Sequence, residues 1–568
     1  MSRILLTLLL TALFFISQNH LATAQVSQPE NYENGVVTSG DRYASEAGLE
    51  ILQKGGNAVD AAVAVQFALA VTLPRAGNIG GGGFMVLHTG DGEINTLDFR
   101  EKAPSRATRD MYLDDERELI SDKSKIGGLA SGVPGTVDGM VTALERYGTL
   151  ALEIVMEPAI RLAEDGYILS HSHARSLNSA SDRLREFNGS KEVFVKPEGA
   201  PWKAGDRFIQ NDLAETLKRI ASMGRRGFYS GLTGRLIVEE MNRVGGIITL
   251  RDLRDYKSVW REPIKAEFLD YELFMMPPPS SGGVVMKQVL NMLSEMNIGE
   301  YSHNSADYVH RLAETLRRSF ADRNYWLGDP DFFDIPLSEL LDDNYLSNRI
   351  SDFDPATATA SDSVSHGHVN SVLESYETTH FNVADRYGNV VAVNTTLNGS
   401  FGSFVTVTGA GFLLNNEMDD FSAKPGEPNM FGLIGAEANS IEPGKRMLSS
   451  MSPTIALKNG KPAFAGGGAG GPTIITAVLQ NFLNIALFQM NPSQAITAPR
   501  IHHQWLPDRL LIEGLYFSED TVEELELIGH EVQRSGNIAL THILTFDNEN
   551  NRMSGASDSR GDGYVAGY

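Results

Sequence analysis

Two β-rich runs on either side of a Gly/Asn turn constrain the fold more than any other feature of the sequence. One run covers residues 380–385 and the other covers residues 390–397. This arrangement predicts a β-hairpin. Because cross-strand partners in a hairpin keep a constant index sum, Thr396 should lie opposite Thr378, with Asn398 on the same face. Thr378 would then have a hydroxyl and an amide group beside it.

The segment before this hairpin, residues 354–375, is the nearest thing to a linker in the chain. It is rich in Ala, Thr, Ser and Asp and poor in large apolar residues. Elsewhere strand-like and helical stretches mix without internal repeats, which predicts a mixed α/β chain with buried strands. Residues 58–71 are apolar on nearly every side, which predicts a helix buried between layers. The middle third should be mostly helical, with Ser305 capping a helix on which His310 is interpreted as a surface residue.

The composition excludes thiol chemistry and argues against a nucleic-acid partner. The 568 residues contain no Cys, so neither disulfides nor thiolates contribute. The length and the 42% hydrophobic content supply a large core instead. Asp and Glu total 72 against 48 Lys and Arg, which gives a formal net charge of −24. Such a surface repels phosphate backbones.

The first 24 residues are predicted to be a secretory signal peptide rather than part of the fold. Arg3 supplies a positive start, residues 4–16 an apolar core, and residues 22–24 a small-residue cleavage site before Gln25. An uncleaved membrane anchor is the alternative, but the apolar core is short for spanning a bilayer. No Cys follows the cleavage site, which excludes a lipoprotein. Export and acidity together predict a periplasmic protein without a membrane anchor, with secretion as the alternative.

Several long motifs resemble those of one known family. They are ETTHF at 377–381, TLN at 396–398, DFR at 98–100, PPPSSGG at 277–283, NNEMDDF at 415–421, LSSMSPT at 448–454 and AGY at 566–568. In this order they are similar to the γ-glutamyltranspeptidases (glutathione hydrolases), which are N-terminal-nucleophile hydrolases. The resemblance implies an α+β fold, a four-layer αββα sandwich. It also implies self-cleavage between Glu377 and Thr378 into an associated pair of fragments, a large subunit of residues 25–377 and a small subunit of residues 378–568.

The resemblance implies a role for each candidate site residue. Thr378 is the nucleophile, and Thr396 supports its hydroxyl. The N–H groups of Gly470 and Gly471 hold the oxyanion. The α-carboxylate of a γ-glutamyl group would bind the Arg100 guanidinium and the hydroxyls of Ser449 and Ser450. Its α-ammonium would bind the Asn398 amide and the carboxylates of Glu417 and Asp420. A Pro/Gly-rich loop covers the cleft, with Phe431 as its aromatic gate.

An N-terminal threonine combines nucleophile and base in one residue. Its hydroxyl attacks, and its own α-amino group, with a reference pKa of about 7.7–8.0, accepts the proton near neutral pH. The β-branch restricts χ1 and helps to aim the hydroxyl. The acyl group then passes to water or to an amino acid or peptide amine, and no cofactor is implied. Glutathione and related γ-glutamyl compounds are the expected donors.

Three other chemistries find weaker support. Residues 466–471 match G-x-G-x-x-G between a strand and a helix, but residues 463–507 lack the acid that a dinucleotide site needs about twenty positions on. A nest of N–H groups suited to an oxyanion is the better interpretation. The pairs His502-His503 and His366/His368 lack the i, i+4 spacing of a zinc enzyme and are interpreted as surface or loop residues, so no metal is expected. The sequence contains no G-x-S-x-G elbow.

Two further functions stay open at the level of sequence. The first is that of a related acylase, which acts on glutaryl-type amides such as cephalosporin side chains. Those substrates lack the α-ammonium, so the carboxylates of Glu417 and Asp420 favour γ-glutamyl donors. The second is that of a catalytically inactive binding protein, against which the complete set of nucleophile, supporting hydroxyl, cation and glycine pair argues. Turnover of a γ-glutamyl anilide and of a glutaryl anilide would separate the three hypotheses.

Overall fold

The fold consists of four layers, two β-sheets enclosed between two layers of helices. The computed structural model describes residues 29–120, 122–365, 378–427, 429–430, 433 and 435–568. The predicted signal peptide, His366, His368, Glu377 and Phe431 lie outside these residues. Within the described ranges, no helix is both long and apolar enough to cross a membrane.

The strands of the described residues are short, and most belong to two large sheets. They are β1 (Asn31–Tyr32), β2 (Gly35–Ser39), β3 (Gly82–His88), β4 (Ile94–Asp98), β5 (Tyr167–Ile168), β6 (Arg207–Phe208), β7 (Val259–Arg261), β8 (Ile264–Phe268), β9 (Tyr271–Met275), β10 (Thr379–Asp385), β11 (Val390–Thr396), β12 (Thr454–Lys458), β13 (Lys461–Ala469), β14 (Ile501–His502), β15 (Leu510–Glu513), β16 (Val532–Ser535), β17 (Leu540–Asp547), β18 (Arg552–Ser557) and β19 (Tyr564–Gly567).

The helices lie mostly between β4 and β10, in agreement with the predicted helical middle third. They are α1 (Arg42–Gln53), α2 (Ala58–Thr72), α3 (Thr136–Tyr147), α4 (Leu152–Asp165), α5 (His171–Ser179), α6 (Ser181–Leu184), α7 (Asn188–Phe194), α8 (Asn211–Met223), α9 (Arg226–Tyr229), α10 (Gly231–Val244), α11 (Leu250–Asp255), α12 (Gly282–Glu295), α13 (Ala306–Trp326), α14 (Leu337–Leu340), α15 (Asp343–Ile350), α16 (Thr473–Ala486), α17 (Pro492–Thr497) and α18 (Glu519–Leu527).

Both large sheets have seven strands, and all neighbouring strands in them are antiparallel. The first sheet has the order β19-β2-β10-β11-β3-β4-β7. The second has the order β1-β18-β17-β13-β12-β9-β8. Strands β10 and β11 face β13 across the middle of the molecule. The predicted αββα sandwich is therefore confirmed.

The hairpin of β10 and β11 has the register that the sequence predicts. Thr379 pairs with Thr395 and His380 pairs with Asn394, so Thr378 and Thr396 are the next opposed positions. Every residue of both strands is buried, because this sheet has helices on one side and the second sheet on the other. The hairpin is thus packed on both faces, and Thr378, which directly precedes β10, lies at the edge of the core.

Helix α2 is buried along its whole length, as its all-round apolar pattern predicts. It packs between α1, α4 and the first sheet, so no side of it reaches solvent. Asn57 and Asp60 form a capping box at its start. The Asp60 carboxylate also accepts a 2.6 Å hydrogen bond from the Thr149 hydroxyl. Its burial is therefore balanced by hydrogen bonds.

Helix α13 belongs to the opposite helical layer, together with α12 and α16. The Ser305 hydroxyl accepts from the N–H of Tyr308, which confirms the predicted cap. The interpretation of His310 as a surface residue is wrong, since α13 is enclosed on all sides and the His310 ring lies 2.8 Å from the ring of His530. The pair His502-His503 is buried as well, so neither residue is on the surface, although His503 does lie in the loop that follows β14.

Glycines set the spacing between the two sheets beside Thr378. A Cβ on Gly467 would lie 2.3 Å from atoms of the His380 ring. That ring lies between the amide oxygens of Asn382 and Asn394, at 2.9 Å from each. Because residues 466–468 belong to β13 and pair with β17, they form no phosphate-binding loop. The dinucleotide alternative therefore finds no support in the fold.

Candidate active site

Thr378 lies directly before β10, half-buried, with a second hydroxyl beside its own. Its Oγ1 is 3.4 Å from Oγ1 of Thr396, the residue opposite it in the hairpin. The Thr396 hydroxyl also accepts a 2.7 Å hydrogen bond from the backbone N–H of Asn398. Asn398 has a φ of 72°, a left-handed conformation that Asn tolerates. Its side chain thereby turns into the same pocket.

Gly470 and Gly471 connect β13 to α16, and few other residue types can adopt their backbone conformations. Their φ angles are 144° and 55°. The hydroxyl of Thr473 donates to the Gly470 carbonyl at 2.7 Å, which turns that carbonyl toward the helix. The N–H of Gly471 then points the opposite way, since the peptide unit is trans. Among the described residues, neither glycine N–H donates to another group, so both are free to bind an anion.

Arg100 follows β4 and is completely buried. Its guanidinium bonds to the carboxylates of Glu417 and Asp420. It also donates to the carbonyls of Met447 and Leu448, each at 3.3 Å. Burial lowers the pKa of Arg100 and the carboxylates raise it, and the balance lies above its ordinary value. The predicted cation and the predicted anions of the site are therefore bonded to each other.

The carboxylates around Arg100 are difficult to ionise because they are buried close together. Burial raises the pKa of Asp420 to about 6, although Arg100 opposes the shift. Burial raises the pKa of Glu417 well above its ordinary value. Glu101, which the sequence analysis did not single out, is buried beside them, and burial raises its pKa to about 8. Neither Glu101 oxygen has a hydrogen-bond partner among the described residues. Its position directly after the DFR motif is the signal that could have identified it.

Ser449 and Ser450 are fixed by the Pro-rich turn before α12. The N–H of Ser449 donates to the Pro279 carbonyl at 2.8 Å. The Ser449 carbonyl accepts from both the N–H and the hydroxyl of Ser281, each at 2.7 Å. The Ser450 hydroxyl accepts a 3.2 Å hydrogen bond from Arg323. The rigid turn that the sequence predicts at residues 277–283 therefore supports the two candidate serines.

The Pro/Gly-rich loop meets the pocket at Met430, while the proposed gate Phe431 lies outside the described residues. The N–H of Met430 donates to the Asp419 carboxylate at 3.0 Å, and its sulfur lies 3.6 Å from the Asn398 amide. Asp419 also accepts from the Ser124 hydroxyl at 2.5 Å. Asp419 was not predicted as a site residue, yet it fastens two segments to the rim of the pocket.

One pocket brings together nearly all the predicted site residues. Its lining includes Arg100, Thr378, Thr396, Asn398, Glu417, Asp420, Ser449, Ser450 and Gly471. Gly470 is the neighbour of Gly471 and is not itself part of the lining. Arg323 also lines the pocket and was missed by the sequence analysis. It lies three residues after Phe320 on α13 and so occupies the next position of the apolar stripe of that helix.

A cluster of residues of the types that bind metals lies elsewhere in the described part of the chain. Only His310, Glu314 and His530 place three ligand-type side chains within 4.8 Å of one another there. The Glu314 carboxylate already bonds to Arg317 and Arg318, and these two positive charges oppose a cation. None of these side chains lines the pocket that contains Thr378.

Comparison with known proteins identifies the family. Residues 44–568 match the sequence profile described as gamma-glutamyltranspeptidase. The chain belongs to the γ-glutamyltranspeptidase family. It is 45% identical over 545 residues to the glutathione hydrolase proenzyme of Escherichia coli (strain K12), with 96% of this chain and 93% of that protein covered.

Solved structures of related proteins share the fold. The cephalosporin acylase from Bacillus halodurans matches with a TM-score of 0.84 and 27% identity, covering 95% of this chain and 97% of that chain. The Helicobacter pylori γ-glutamyltranspeptidase matches with a TM-score of 0.59 and 41% identity, covering 60% of this chain and 100% of that chain. The resemblance stated from the motifs is thereby confirmed, while the role of each site residue in this family member stays a prediction.

Proposed function

We propose that this γ-glutamyltranspeptidase family member transfers γ-glutamyl groups. It cleaves the γ-glutamyl amide of glutathione and related compounds and passes the acyl group to water or to an amino acid or peptide amine. One observation carries the proposal. A threonine hydroxyl, an unbonded glycine N–H, a guanidinium and a group of carboxylates line one pocket, and these charges complement a zwitterionic γ-glutamyl donor.

The chain first cuts itself. The Thr378 hydroxyl oxygen attacks the carbonyl carbon of Glu377, the C–N bond between the two residues breaks, and an ester forms. Water then hydrolyses the ester, which leaves a carboxylate on Glu377 and restores the Thr378 hydroxyl. The proton of the attacking hydroxyl passes to the nitrogen when the C–N bond breaks, and this earlier step gives Thr378 its free α-amine. The nearby Thr396 hydroxyl supports the process, because it lies within reach of the attacking oxygen.

The free α-amine then serves as the base for each transfer. It takes the hydroxyl proton as Oγ1 of Thr378 attacks the γ-carbonyl carbon of the donor. The N–H groups of Gly470 and Gly471 stabilise the negative oxygen that develops. When the donor C–N bond breaks, the α-ammonium returns the proton to the leaving amine. Water or an acceptor amine attacks the resulting ester in the same way and frees Thr378.

The charges around Arg100 favour γ-glutamyl over glutaryl donors. Arg100 and the hydroxyls of Ser449 and Ser450 receive the α-carboxylate. Glu417 and Asp420, with the Asn398 amide, receive the α-ammonium. A glutaryl group would leave these buried carboxylates without a new cation, which costs binding free energy. The acylase activity is therefore the alternative, and it uses the same nucleophile.

The proposal includes the processing and export that the sequence predicts. Residues 25–377 and 378–568 become the large and small subunits, and residues 1–24 direct export to the periplasm or the medium. Both fragments contribute strands to each large sheet, which supports their lasting association as a heterodimer. No nucleic acid or cofactor takes part.

Mass analysis and N-terminal sequencing of the purified protein test the proposal, together with anilide turnover. We expect one fragment to begin at Thr378 and the γ-glutamyl anilide to be turned over faster than the glutaryl anilide. The Thr378→Ala variant is the control and should stay uncut and inactive. An active, uncut chain contradicts the mechanism. Faster turnover of the glutaryl anilide than of the γ-glutamyl anilide contradicts the proposed donor and supports acylase activity instead.

A further inference from the structure

Arg323 is a buried cation at the wall of the pocket. It lies near the end of α13, and its side chain is 4% exposed. Within the described part of the chain it forms three hydrogen bonds, and all of them go to neutral oxygens. They reach the Ser281 hydroxyl at 3.2 Å, the Asn324 amide oxygen at 3.0 Å and the Ser450 hydroxyl at 3.2 Å. The guanidinium is therefore hydrogen-bonded but carries an unneutralised charge.

This lack of a counter-ion distinguishes Arg323 from the other buried arginines of the described residues. Each of the others forms an ion pair with an acid, namely Arg100, Arg311, Arg317, Arg318, Arg446 and Arg500. Burial lowers the pKa of Arg323 to about 10, and Asp420 only partly offsets this effect. A buried charge without a partner costs free energy, and an anion bound beside it recovers that cost.

The position of Arg323 specifies where such an anion would lie. Arg323 donates to the oxygen of the Ser450 hydroxyl, so the hydrogen of that hydroxyl is directed to another acceptor. Arg100, the other cation of the pocket, is already bonded to Glu417 and Asp420. A carboxylate at Ser450 must therefore compete with these two acids for Arg100, while Arg323 offers it a positive charge that no acid among the described residues neutralises.

We propose that Arg323 is a specificity-determining residue for the α-carboxylate of the donor, because it supplies the unneutralised positive charge and orients the Ser450 hydroxyl as a hydrogen-bond donor. This inference rests on the proposed γ-glutamyl transfer function and deepens it. Arg323 does not touch the reacting carbonyl. Its effect should therefore depend on whether a donor carries the carboxylate and not on the chemistry of the bond that breaks.

Three anilide donors separate this role from a structural one. The γ-glutamyl anilide has both charges, the glutaryl anilide has only the carboxylate, and the 4-aminobutanoyl anilide has only the ammonium. In Arg323→Gln we expect kcat/KM to fall about 10- to 100-fold for the two donors with a carboxylate, mainly through KM. For the 4-aminobutanoyl anilide the change should stay within about threefold.

Inhibition by glutaramate, which has only the carboxylate, and by 4-aminobutanamide, which has only the ammonium, gives the same comparison with unactivated amides. Arg323→Gln should weaken inhibition by glutaramate and leave inhibition by 4-aminobutanamide unchanged. Arg323→Lys keeps the charge but loses the planar fork, so it should restore part of the loss. Arg500→Gln is the control. Arg500 is also buried, but unlike Arg323 it is paired with an acid, Asp558, and it does not line the pocket. It should affect all donors alike.

Each outcome decides between the hypotheses. An equal loss for all three donors in Arg323→Gln makes Arg323 structural and overturns the inference. If Arg323→Gln does not fold or cut itself, Arg323→Lys carries the test, because its preference for carboxylate donors must still fall below that of the native protein. A native protein that cuts itself but does not turn over the γ-glutamyl anilide contradicts the proposed function itself, independently of either variant.

Discussion

The Thr396 hydroxyl holds two groups in place, the Thr378 hydroxyl and the N–H of Asn398. Thr396→Val keeps the shape of the side chain but removes the acceptor. We expect kcat on a γ-glutamyl anilide to fall about 10- to 100-fold, since a buried N–H loses its partner and the nucleophile loses its orientation. Steady-state kinetics on the processed protein measure this effect. Thr396→Ser retains the hydroxyl and should recover most of the activity, and an unimpaired Thr396→Val would remove Thr396 from the mechanism.

Asp420 should make donor recognition depend on pH. Burial raises its pKa to about 6, so its carboxylate is ionised above that pH and takes up a proton below it. Protonation removes the attraction for a donor ammonium. The ratio of kcat/KM for the γ-glutamyl anilide to that for the glutaryl anilide should therefore fall as the pH drops through about 6. The fall should approach about tenfold per pH unit.

The ratio is needed because the Thr378 α-amine also titrates near neutral pH and affects both donors equally. Asp420→Asn has no charge to lose at this position, so its ratio should be lower and should lack the fall through about pH 6. A native protein whose ratio does not change between about pH 8 and about pH 5 would contradict the assignment of Asp420 to the ammonium.

Individual site residues were predictable where a motif marked them and not where burial alone defines them. Arg100 and Asp420 lie in long motifs, and the structure places both in the pocket. Arg323 follows the spacing of an apolar stripe, and a sequence cannot tell whether such an arginine meets an acid, water or a ligand. Glu101 poses the same problem, since its raised pKa comes from the layers that enclose it.

Strand β13 shows how one element controls the spacing of the sheets. A Cβ on Gly467 would lie 2.3 Å from the His380 ring, so Gly467→Ala must push β10 and β13 apart. We expect a loss of about 1–3 kcal/mol in the free energy of unfolding and slower self-cleavage. Denaturant unfolding in the Thr378→Ala background measures the first effect without the complication of chain cutting.

Gly536→Ala is the matched control for this substitution. A Cβ on Gly536 meets no atom within 4 Å, so the variant should unfold and cut itself like the native chain. Equal stability of Gly467→Ala and Gly536→Ala would show that β10 and β13 can separate without cost.

The elements that the sequence predicted correctly are those with local causes. The hairpin register follows from its turn, and the burial of α2 follows from its composition. The histidines His310 and His502 were misassigned because a polar side chain is buried only when distant segments supply its partners. For His310 those partners are His530 and the carbonyl of Asp354, which no spacing along the chain reveals.

At the scale of the whole molecule, the two predicted subunits are interleaved. In the first sheet β2 lies between β10 and β19, and in the second sheet β9 pairs with β12, so strands from before and after residue 378 are neighbours. We expect the cut protein to elute from a size-exclusion column at the same volume as uncut Thr378→Ala. The two fragments should separate only in denaturant. Their separation in native buffer would contradict a shared core.

Arg100 is bonded to Glu417 and Asp420, so the charged groups of the pocket neutralise one another while no donor is bound. In the proposed mechanism the donor replaces these contacts, with its carboxylate binding Arg100 and its ammonium binding the two acids. A ligand with only an amine pairs with the acids but leaves the guanidinium without a counter-ion. A ligand with only an anion pairs with the guanidinium but leaves the acids without one. Only a molecule with both signs of charge on neighbouring atoms leaves no group stranded. The pocket thus discriminates against the simple ions of its surroundings without a dedicated barrier.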